Sequence, residues 1–240
     1  MPESNDFLDE LFGKIANVPA ALERAVSLSS IADRNTLIKE ATAAVQSLYN
    51  LQEDLESWED GFWKASPTPR AWLVPSRATN PVDVDSRTFP DCFEFESSIV
   101  SILVVQCWAV RLTLHSNIIQ IHDLLWRKLG HPIELEVLFE PNERESTHGT
   151  LLHQIERAAT QIAHYLCQSM EYHHRIDMGT YGAQAVTYSI WSARHYFRFH
   201  RGHERERAWL ENIHRMDGPG TNWRTTMMTF ENILEPLGGL

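Results

Sequence analysis

The residue types best suited to chemistry lie on the faces of apolar helical stretches. When residues 92–129 are projected at 100° per residue, Arg111, His115 and His122 point in the same direction as two tryptophans. Burying an unpaired arginine is costly, so this face must meet acidic partners, a wet cavity or the solvent edge. One interpretation is a paired or half-exposed seam between helices. The other is a pocket wall in which polar groups stand among aromatic rings.

Two later stretches repeat this combination of histidine, arginine and aromatic side chains. The apolar face of residues 149–174 continues into a histidine pair, and residues 181–200 carry aromatic rings on every side. Taken singly, each histidine is most simply a hydrogen-bonded core or boundary residue, and each tryptophan a core filler. If the three stretches instead line a pocket, the candidate catalytic residues are Arg111, His115, Tyr172, His173 and His195. Arg111 and His115 would donate hydrogen bonds or protons to a substrate, and Tyr172, His173 or His195 would lie opposite them. The candidate substrate-binding residues are Trp108, His122, Trp126 and Trp191.

Sequence motifs for metals, nucleophiles and phosphates are missing from the chain. A helical zinc pair needs two histidines at i and i+4, and no two histidines here have that spacing. His195, His200 and His203 are too loosely spaced near a glycine to indicate a site. There is no GxSxG elbow, no glycine-rich phosphate loop and no GxGxxG. We therefore predict neither a metal nor a cofactor.

The charge balance argues against nucleic acid as a direct partner. The chain has 21 basic and 32 acidic side chains, and its formal charge of −11 repels a phosphate backbone. Five of the acids fall close together and loosely resemble magnesium-binding carboxylates on a helix. Because no second motif of that kind accompanies them, we predict a solvated face. These acids are Glu53, Asp54, Glu56, Glu59 and Asp60.

The cysteines and the apolar segments restrict the class of protein further. Cys92, Cys107 and Cys167 are odd in number and have no CxxC spacing, which excludes a disulfide framework and a zinc finger. No window reaches eighteen apolar residues, and acids stand at the N-terminus where a signal peptide is basic. We expect a chain that begins at Met1, has no membrane span and stays inside the cell, in the cytoplasm.

The elements that must position these residues are predicted to be nearly all helical. Apolar side chains recur with a period of 3.6, and no segment alternates long enough to indicate a strand. We predict a single all-α domain, a multi-helix bundle around the long apolar helix 92–129. Residues 64–91, rich in proline, are predicted to be a loop that serves as a lid or a linker, and 131–148 a charged connection. The other predicted helices are 5–17, 19–30, 33–62, 149–174, 181–200, 203–216 and 221–234. The helix from Asp33, a candidate N-cap, is predicted to present one apolar face until Gly61 and Pro67 stop it. This face consists of Leu37, Ala41, Ala44, Leu48, Leu51, Leu55, Trp58 and Phe62.

Several segments together resemble a known family. They are FPDCFEFESSIVSILVVQCWAVRLTLHSNIIQIHDLL, ERAATQIAHYLCQSMEYHHRIDMGTYGAQAVTYSIWSARHYF and ERERAWLENIHRM, preceded by LFGKIANVPAALERAVSL. Their order is a Phe-Pro entry, a long helix with tryptophan, an A-x-x-I-x-x-x-x-C-x-S helix, a Met-Gly turn and a WL helix. This order resembles the C-terminal effector domain of fungal binuclear zinc-cluster transcription factors. The resemblance implies an all-α fold and a fungal origin, and it carries no catalytic residues.

The departure from that family suggests two functions. Its members have a six-cysteine DNA-binding module and a basic linker, and this sequence has neither. The favoured hypothesis is a free-standing, repurposed domain that binds an apolar fungal secondary metabolite, a terpenoid or polyketide. It would catalyse a cofactor-independent cyclisation or pericyclic (Diels–Alder-type) step, as a lyase or isomerase. The alternative is a DNA-binding-deficient transcriptional regulator, nuclear in location, that acts through protein–protein association. A homodimer is left open.

Overall fold

The chain is mostly helical in the computed structural model, which describes residues 4–77, 88–130 and 148–212. These residues form eight α-helices and a small sheet of two strands, which confirms the predicted all-α class. The helices are α1 (Ser4–Ile15), α2 (Val18–Ser27), α3 (Arg34–Lys64), α4 (Ser98–Leu129), α5 (His148–His173), α6 (Gly179–Ala185), α7 (Thr187–Phe199) and α8 (Glu204–Glu211). The strands are β1 (Ala71–Pro75) and β2 (Asp91–Phe95).

The residue contacts divide the chain into two compact units. The first unit comprises the described residues of 1–65 and 110–162, and the second those of 66–109 and 163–240. Helices α4 and α5 each contribute to both units, because α4 begins in the second unit and α5 ends there. The single-domain organisation stays a prediction.

Helix α3 in the first unit forms where its cap and apolar stripe predict it. The Asp33 carboxylate accepts a hydrogen bond from the Thr36 backbone N–H at 2.8 Å, so the helix has the N-cap that the sequence indicates. The helix continues through Gly61, one of the two residues predicted to stop it, and ends at Lys64, before Pro67. Of the predicted apolar stripe, Leu51 is only half-buried. The other positions are buried, namely Leu37, Ala41, Ala44, Leu48, Leu55, Trp58 and Phe62.

Helices α1 and α4 are fixed to the same unit by hydrogen bonds to backbone carbonyls. The Trp58 indole N–H of α3 donates to the Phe7 carbonyl of α1 at 3.2 Å. At the end of α4, the Lys128 ammonium donates to the carbonyls of Ser29 and Ile31, at 2.8 and 2.9 Å. The Lys128 contacts place the segment that precedes α3 beside the C-terminal end of α4.

The two strands of the second unit were missed by the sequence analysis. They pair antiparallel, with Ala71 opposite Phe95 and Pro75 opposite Asp91. The loop prediction for 64–91 is therefore wrong over β1. Residues 78–87 of the same segment lie outside the described residues, and the interpretation as a lid or a linker stays a prediction. Helix α4 begins at Ser98 instead of residue 92, because the Ser97 hydroxyl accepts from the Val100 N–H at 3.3 Å and caps the helix there.

The predicted helix 181–200 is two helices. Helix α6 ends at Ala185 and α7 begins at Thr187, with Val186 between them at φ −97° and ψ 5°. Gly182 of α6 lies against the end of α5, where a Cβ atom would come within 2.2 Å of the His173 carbonyl oxygen. Only glycine permits this approach without a shift of backbone. The predicted charged connection 131–148 lies outside the described residues apart from His148, as do helix 221–234 and the end of helix 203–216.

Helix α4 is long and apolar enough to cross a membrane by length and composition, with a mean hydropathy of 1.5 over its most apolar window. In that window, however, 67% of the residues are buried inside the protein. A buried core helix of this kind is compatible with the predicted absence of a membrane span.

Candidate functional site

Arg111, a predicted hydrogen-bond donor to substrate, is held by two carboxylates of the first unit. Its Nη2 lies 2.5 Å from Glu56 Oε1, and its Nη1 contacts the Glu59 carboxylate. The side chains of Arg111 and Glu59 are each only 13% exposed. The paired seam between helices is therefore the correct interpretation for Arg111, whose two terminal nitrogens are engaged with the protein. The solvated face predicted for the acidic cluster is wrong at Glu59.

His115 lies one turn further along α4 and is a buried, neutral imidazole. Its Nε2 is 2.9 Å from the side-chain amide nitrogen of Gln52. Burial, helped by the charge of Arg111, lowers the pKa of His115 to about 3. At neutral pH this ring therefore cannot serve as the cationic proton donor that the sequence analysis allowed.

His122 and Trp126 complete the predicted face of α4. The His122 Nδ1 lies 4.0 Å from the Asp123 carboxylate, at the margin of an ion pair. Trp126 is 52% exposed and so lies at the protein surface. An indole this exposed does not form the wall of an enclosed pocket.

In the second unit Trp108 belongs to an aromatic cluster built around β2. The Trp108 ring centroid lies 5.4 Å from that of Phe93 and 5.2 Å from that of Tyr165. The ring centroid of Phe95, two residues further along the strand, lies 5.1 Å from that of Tyr172. The phenylalanines were not selected from the sequence, because β2 itself was not predicted. The signal available was the Phe-Glu-Phe spacing of an alternating strand.

His173 is the most deeply buried polar side chain of this cluster. It is fully buried, and within the described residues neither of its ring nitrogens has a hydrogen-bond partner. Its ring contacts those of Phe95 and Tyr172 at centroid distances of 6.2 and 5.5 Å. Burial, together with the neighbouring His174, lowers the pKa of His173 to about 3. His173 is therefore an uncharged imidazole in an apolar, aromatic environment.

The Tyr172 ring contacts a charged side chain, Arg175, which is itself paired with a carboxylate. The Arg175 guanidinium lies 5.0 Å from the centre of the Tyr172 ring, within cation–π range. Arg175 in turn donates to the Glu94 carboxylate of β2 at 2.7 Å. Burial raises the pKa of Tyr172, and the charge of Arg175 opposes this only in part. The phenol therefore stays protonated at neutral pH.

His195 and Trp191 form a stack along α7. Their ring centroids are 5.2 Å apart and nearly parallel, with Tyr188 and Phe199 extending the stack at its two ends. Burial, followed by the charges of Arg198 and His200, lowers the pKa of His195. The stack belongs to the second unit, and its rings are half-buried except that of Phe199, which is exposed.

The nine predicted residues thus fall into separate groups. Within the first unit the structure brings together Arg111 and His115, through Gln52 and Glu56. Within the second unit it brings together Tyr172 and His173, through Phe95.

One group of potential metal ligands was missed. His164 of α5, His203 before α8 and Glu206 of α8 place three ligand atoms within 4.8 Å of one another. The available signal was the His-x-x-Glu spacing of residues 203–206, which brings two side chains to one side of a helix start. The group contains no histidine pair at i and i+4, and its third member, His164, is remote in sequence from the other two.

No family model matches the chain, and no curated protein or solved structure matches it. A function for this chain must therefore be argued from the geometry of its described residues.

Proposed function

We propose that the second unit binds an apolar small molecule beside His173, with a carbonyl or hydroxyl group of the ligand hydrogen-bonded to the imidazole. The observation that supports this proposal is that His173 is fully buried, while neither of its ring nitrogens has a hydrogen-bond partner among the described residues. An unsatisfied buried polar group costs about 1–3 kcal/mol. A ligand that supplies a hydrogen bond would remove this cost, and the gain would appear as binding affinity.

The protonation state of His173 favours an uncharged ligand. A neutral imidazole has one N–H donor and one acceptor nitrogen. The pKa of about 3 keeps the ring in that form at neutral pH. A ligand carboxylate or phosphate would find no countercharge on the ring, whereas a carbonyl or hydroxyl group fits it. This chemistry agrees with the terpenoid or polyketide class.

The side chains around His173 supply the apolar contacts and a second donor. Phe95 and Tyr172 present aromatic rings beside the imidazole. Because the phenol of Tyr172 remains protonated, it can donate a hydrogen bond as well. Aromatic rings with one or two well-placed polar groups are the usual lining of a small-molecule site.

The reaction we propose for the bound molecule is a cofactor-independent cyclisation or pericyclic step. Aromatic walls would hold a flexible substrate in a folded, reactive conformation. An N–H or O–H donor at its carbonyl would stabilise charge that develops on that oxygen in the transition state. In this proposal the protein is a transcription-factor-like domain of fungal secondary metabolism that has acquired a catalytic function.

Deletion of the gene tests the function most directly. We expect one uncyclised intermediate to accumulate in extracts of the deletion strain, and purified protein to convert it without an added cofactor. The His173→Phe variant should lose this conversion, and His173→Gln, which restores a donor and an acceptor, should recover part of it. Full conversion by His173→Phe would contradict the role of His173.

The regulator hypothesis predicts a different outcome of the same deletion. Transcript levels would change, no intermediate would accumulate, and the protein would copurify with a full-length zinc-cluster factor. Addition of purified protein to the extract would then change no metabolite.

A further inference from the structure

A second potential site lies in the same unit, at a cluster of two histidines and one glutamate. We propose that His164, His203 and Glu206 bind a divalent transition-metal ion of the zinc type, with a coordination position left for water. Each of the three side chains is half-buried, so an ion can reach them from solvent. This proposal does not depend on the ligand proposed beside His173.

The positions of the ligand atoms fit one ion. The His164 Nε2 lies 3.2 Å from Glu206 Oε1, and the His203 Nδ1 lies 3.9 Å from the same oxygen. In a tetrahedral zinc site with metal–ligand bonds of about 2.0–2.2 Å, neighbouring ligand atoms are about 3.4 Å apart. All three ligand atoms lie within 4.8 Å of one another, so side-chain shifts on the order of 1 Å bring them to this spacing.

The chemistry of the donor set selects the class of ion. Two imidazoles and one carboxylate form one of the ligand sets found in catalytic zinc sites, which keep a fourth position open. The same set of ligands also suits other first-row divalent ions. Magnesium and calcium prefer oxygen ligands and are disfavoured by two imidazoles.

The surrounding rings hold the two histidines in place. The His164 ring packs against Phe89 and Phe197 at centroid distances of 5.5 and 5.8 Å. The His203 ring contacts the same Phe197 at 5.1 Å. Rings fixed in this way lose less conformational freedom when an ion binds, which favours affinity.

The chain contains a matched control for this cluster. His153 and Glu156 of α5 have the same i,i+3 spacing as His203 and Glu206, with the His153 Nδ1 at 3.8 Å from the Glu156 carboxylate. In the part of the chain that the structure describes, no third ligand completes a cluster there. Substitution of His153 should therefore leave the affinity of the proposed cluster for the metal ion unchanged.

Titration of the full chain, without an affinity tag, with Co²⁺ and then Zn²⁺ tests the site. We expect one Co²⁺ per chain with the visible absorption of tetrahedral cobalt, displaced by one Zn²⁺ and untouched by excess Mg²⁺. His164→Gln and Glu206→Gln should each weaken Zn²⁺ binding by about a hundredfold or more, because the loss of outer-shell partners alone costs about 10–100-fold. His153→Gln should leave the affinity unchanged.

Circular dichroism of each variant separates loss of metal from loss of fold. Glu206→Gln keeps the shape of the side chain, so it tests the site even if His164→Gln does not fold. The proposal is overturned if the wild-type chain binds Zn²⁺ no more tightly than the folded Glu206→Gln variant. It is also overturned if the His153→Gln variant loses the cobalt spectrum.

Discussion

The side-chain amide nitrogen of Gln52 lies 2.9 Å from the Nε2 of His115 and 3.1 Å from Glu56 Oε1. Glu56 is an acceptor only, so the Gln52 group that faces it must be the NH₂. The second N–H of the same NH₂ then points at His115, whose Nε2 must accept and whose proton must sit on Nδ1. One carboxylate therefore fixes the tautomer of a histidine that it does not touch. The same carboxylate accepts from Arg111.

Removal of the Arg111 guanidinium should destabilise the first unit, because Glu56 and Glu59 would lose their shared cationic partner. We expect Arg111→Met to lower the free energy of unfolding by about 1–3 kcal/mol, because the 13%-exposed Glu59 loses its cationic partner. The measurement is urea unfolding at neutral pH. The control is Lys64→Met, which breaks a largely exposed pair with Asp60 and should cost less than about 1 kcal/mol. Equal losses in the two variants would contradict the prediction.

Acid should destabilise the protein through its buried histidines. The pKa of His173 is about 3 in the folded chain, against an ordinary value of 6.5. As the pH falls, His173 therefore takes up a proton in the unfolded chain at a higher pH than in the folded chain, and this uptake favours unfolding. The stability that depends on a neutral His173 is present above pH 6.5 and is lost progressively as the pH falls towards 3. His115 behaves in the same way.

The His173→Phe variant isolates this effect. We expect its stability loss between pH 7 and pH 5 to be smaller than that of the wild type by about 2 kcal/mol. Urea unfolding at the two pH values is the measurement. His153→Phe is the control, since the His153 side chain is 65% exposed, and its pH dependence should match the wild type. Unchanged pH dependence in His173→Phe would show that this ring titrates normally.

A methyl group at residue 182 should be poorly tolerated. In Gly182→Ala the added Cβ would lie 2.2 Å from the His173 carbonyl oxygen and 2.7 Å from the Met178 Cβ. We expect a loss of about 1–3 kcal/mol in the free energy of unfolding, as for other overpacked sites. Gly61→Ala is the matched helical control, because nothing lies within 4 Å of its added Cβ. That substitution should instead stabilise α3, by about 0.5–1 kcal/mol.

The three cysteines should be unreactive in the folded chain. All three are buried, and burial raises the pKa of Cys92 to about 12 and that of Cys167 well above its usual value. A thiol reagent at about pH 8 should therefore label almost none of them until urea unfolds the protein, after which it should label all three. Fast labelling of one cysteine without denaturant would contradict this prediction.

The helices could be predicted because their information is local. Asp33 caps α3 and an apolar residue recurs every three or four positions after it, so the start and the buried face follow from neighbouring residues. The strands could not be predicted in the same way. Each has five residues, and the pairing of Ala71 with Phe95 depends on a contact between segments far apart in the sequence.

The candidate sites were only partly predictable for the same reason. Helical projection placed Arg111 and His115 on one face, and the cost of burying an arginine left acidic partners, a wet cavity or the solvent edge as its possible surroundings. It could not identify Glu56 and Glu59, which belong to another helix. The contact between His164 and Glu206 joins residues 42 positions apart and lies beyond any local pattern.

The division of the chain constrains how the protein is synthesised. Each unit is assembled from two separate stretches of sequence, and the first unit needs residues up to Ile162. Residues 1–65 are therefore synthesised before the residues from 110 onward that complete their unit. During that interval the nascent chain is exposed to aggregation and to chaperone capture. For the same reason, no single truncation of the gene can yield either unit as a continuous fragment.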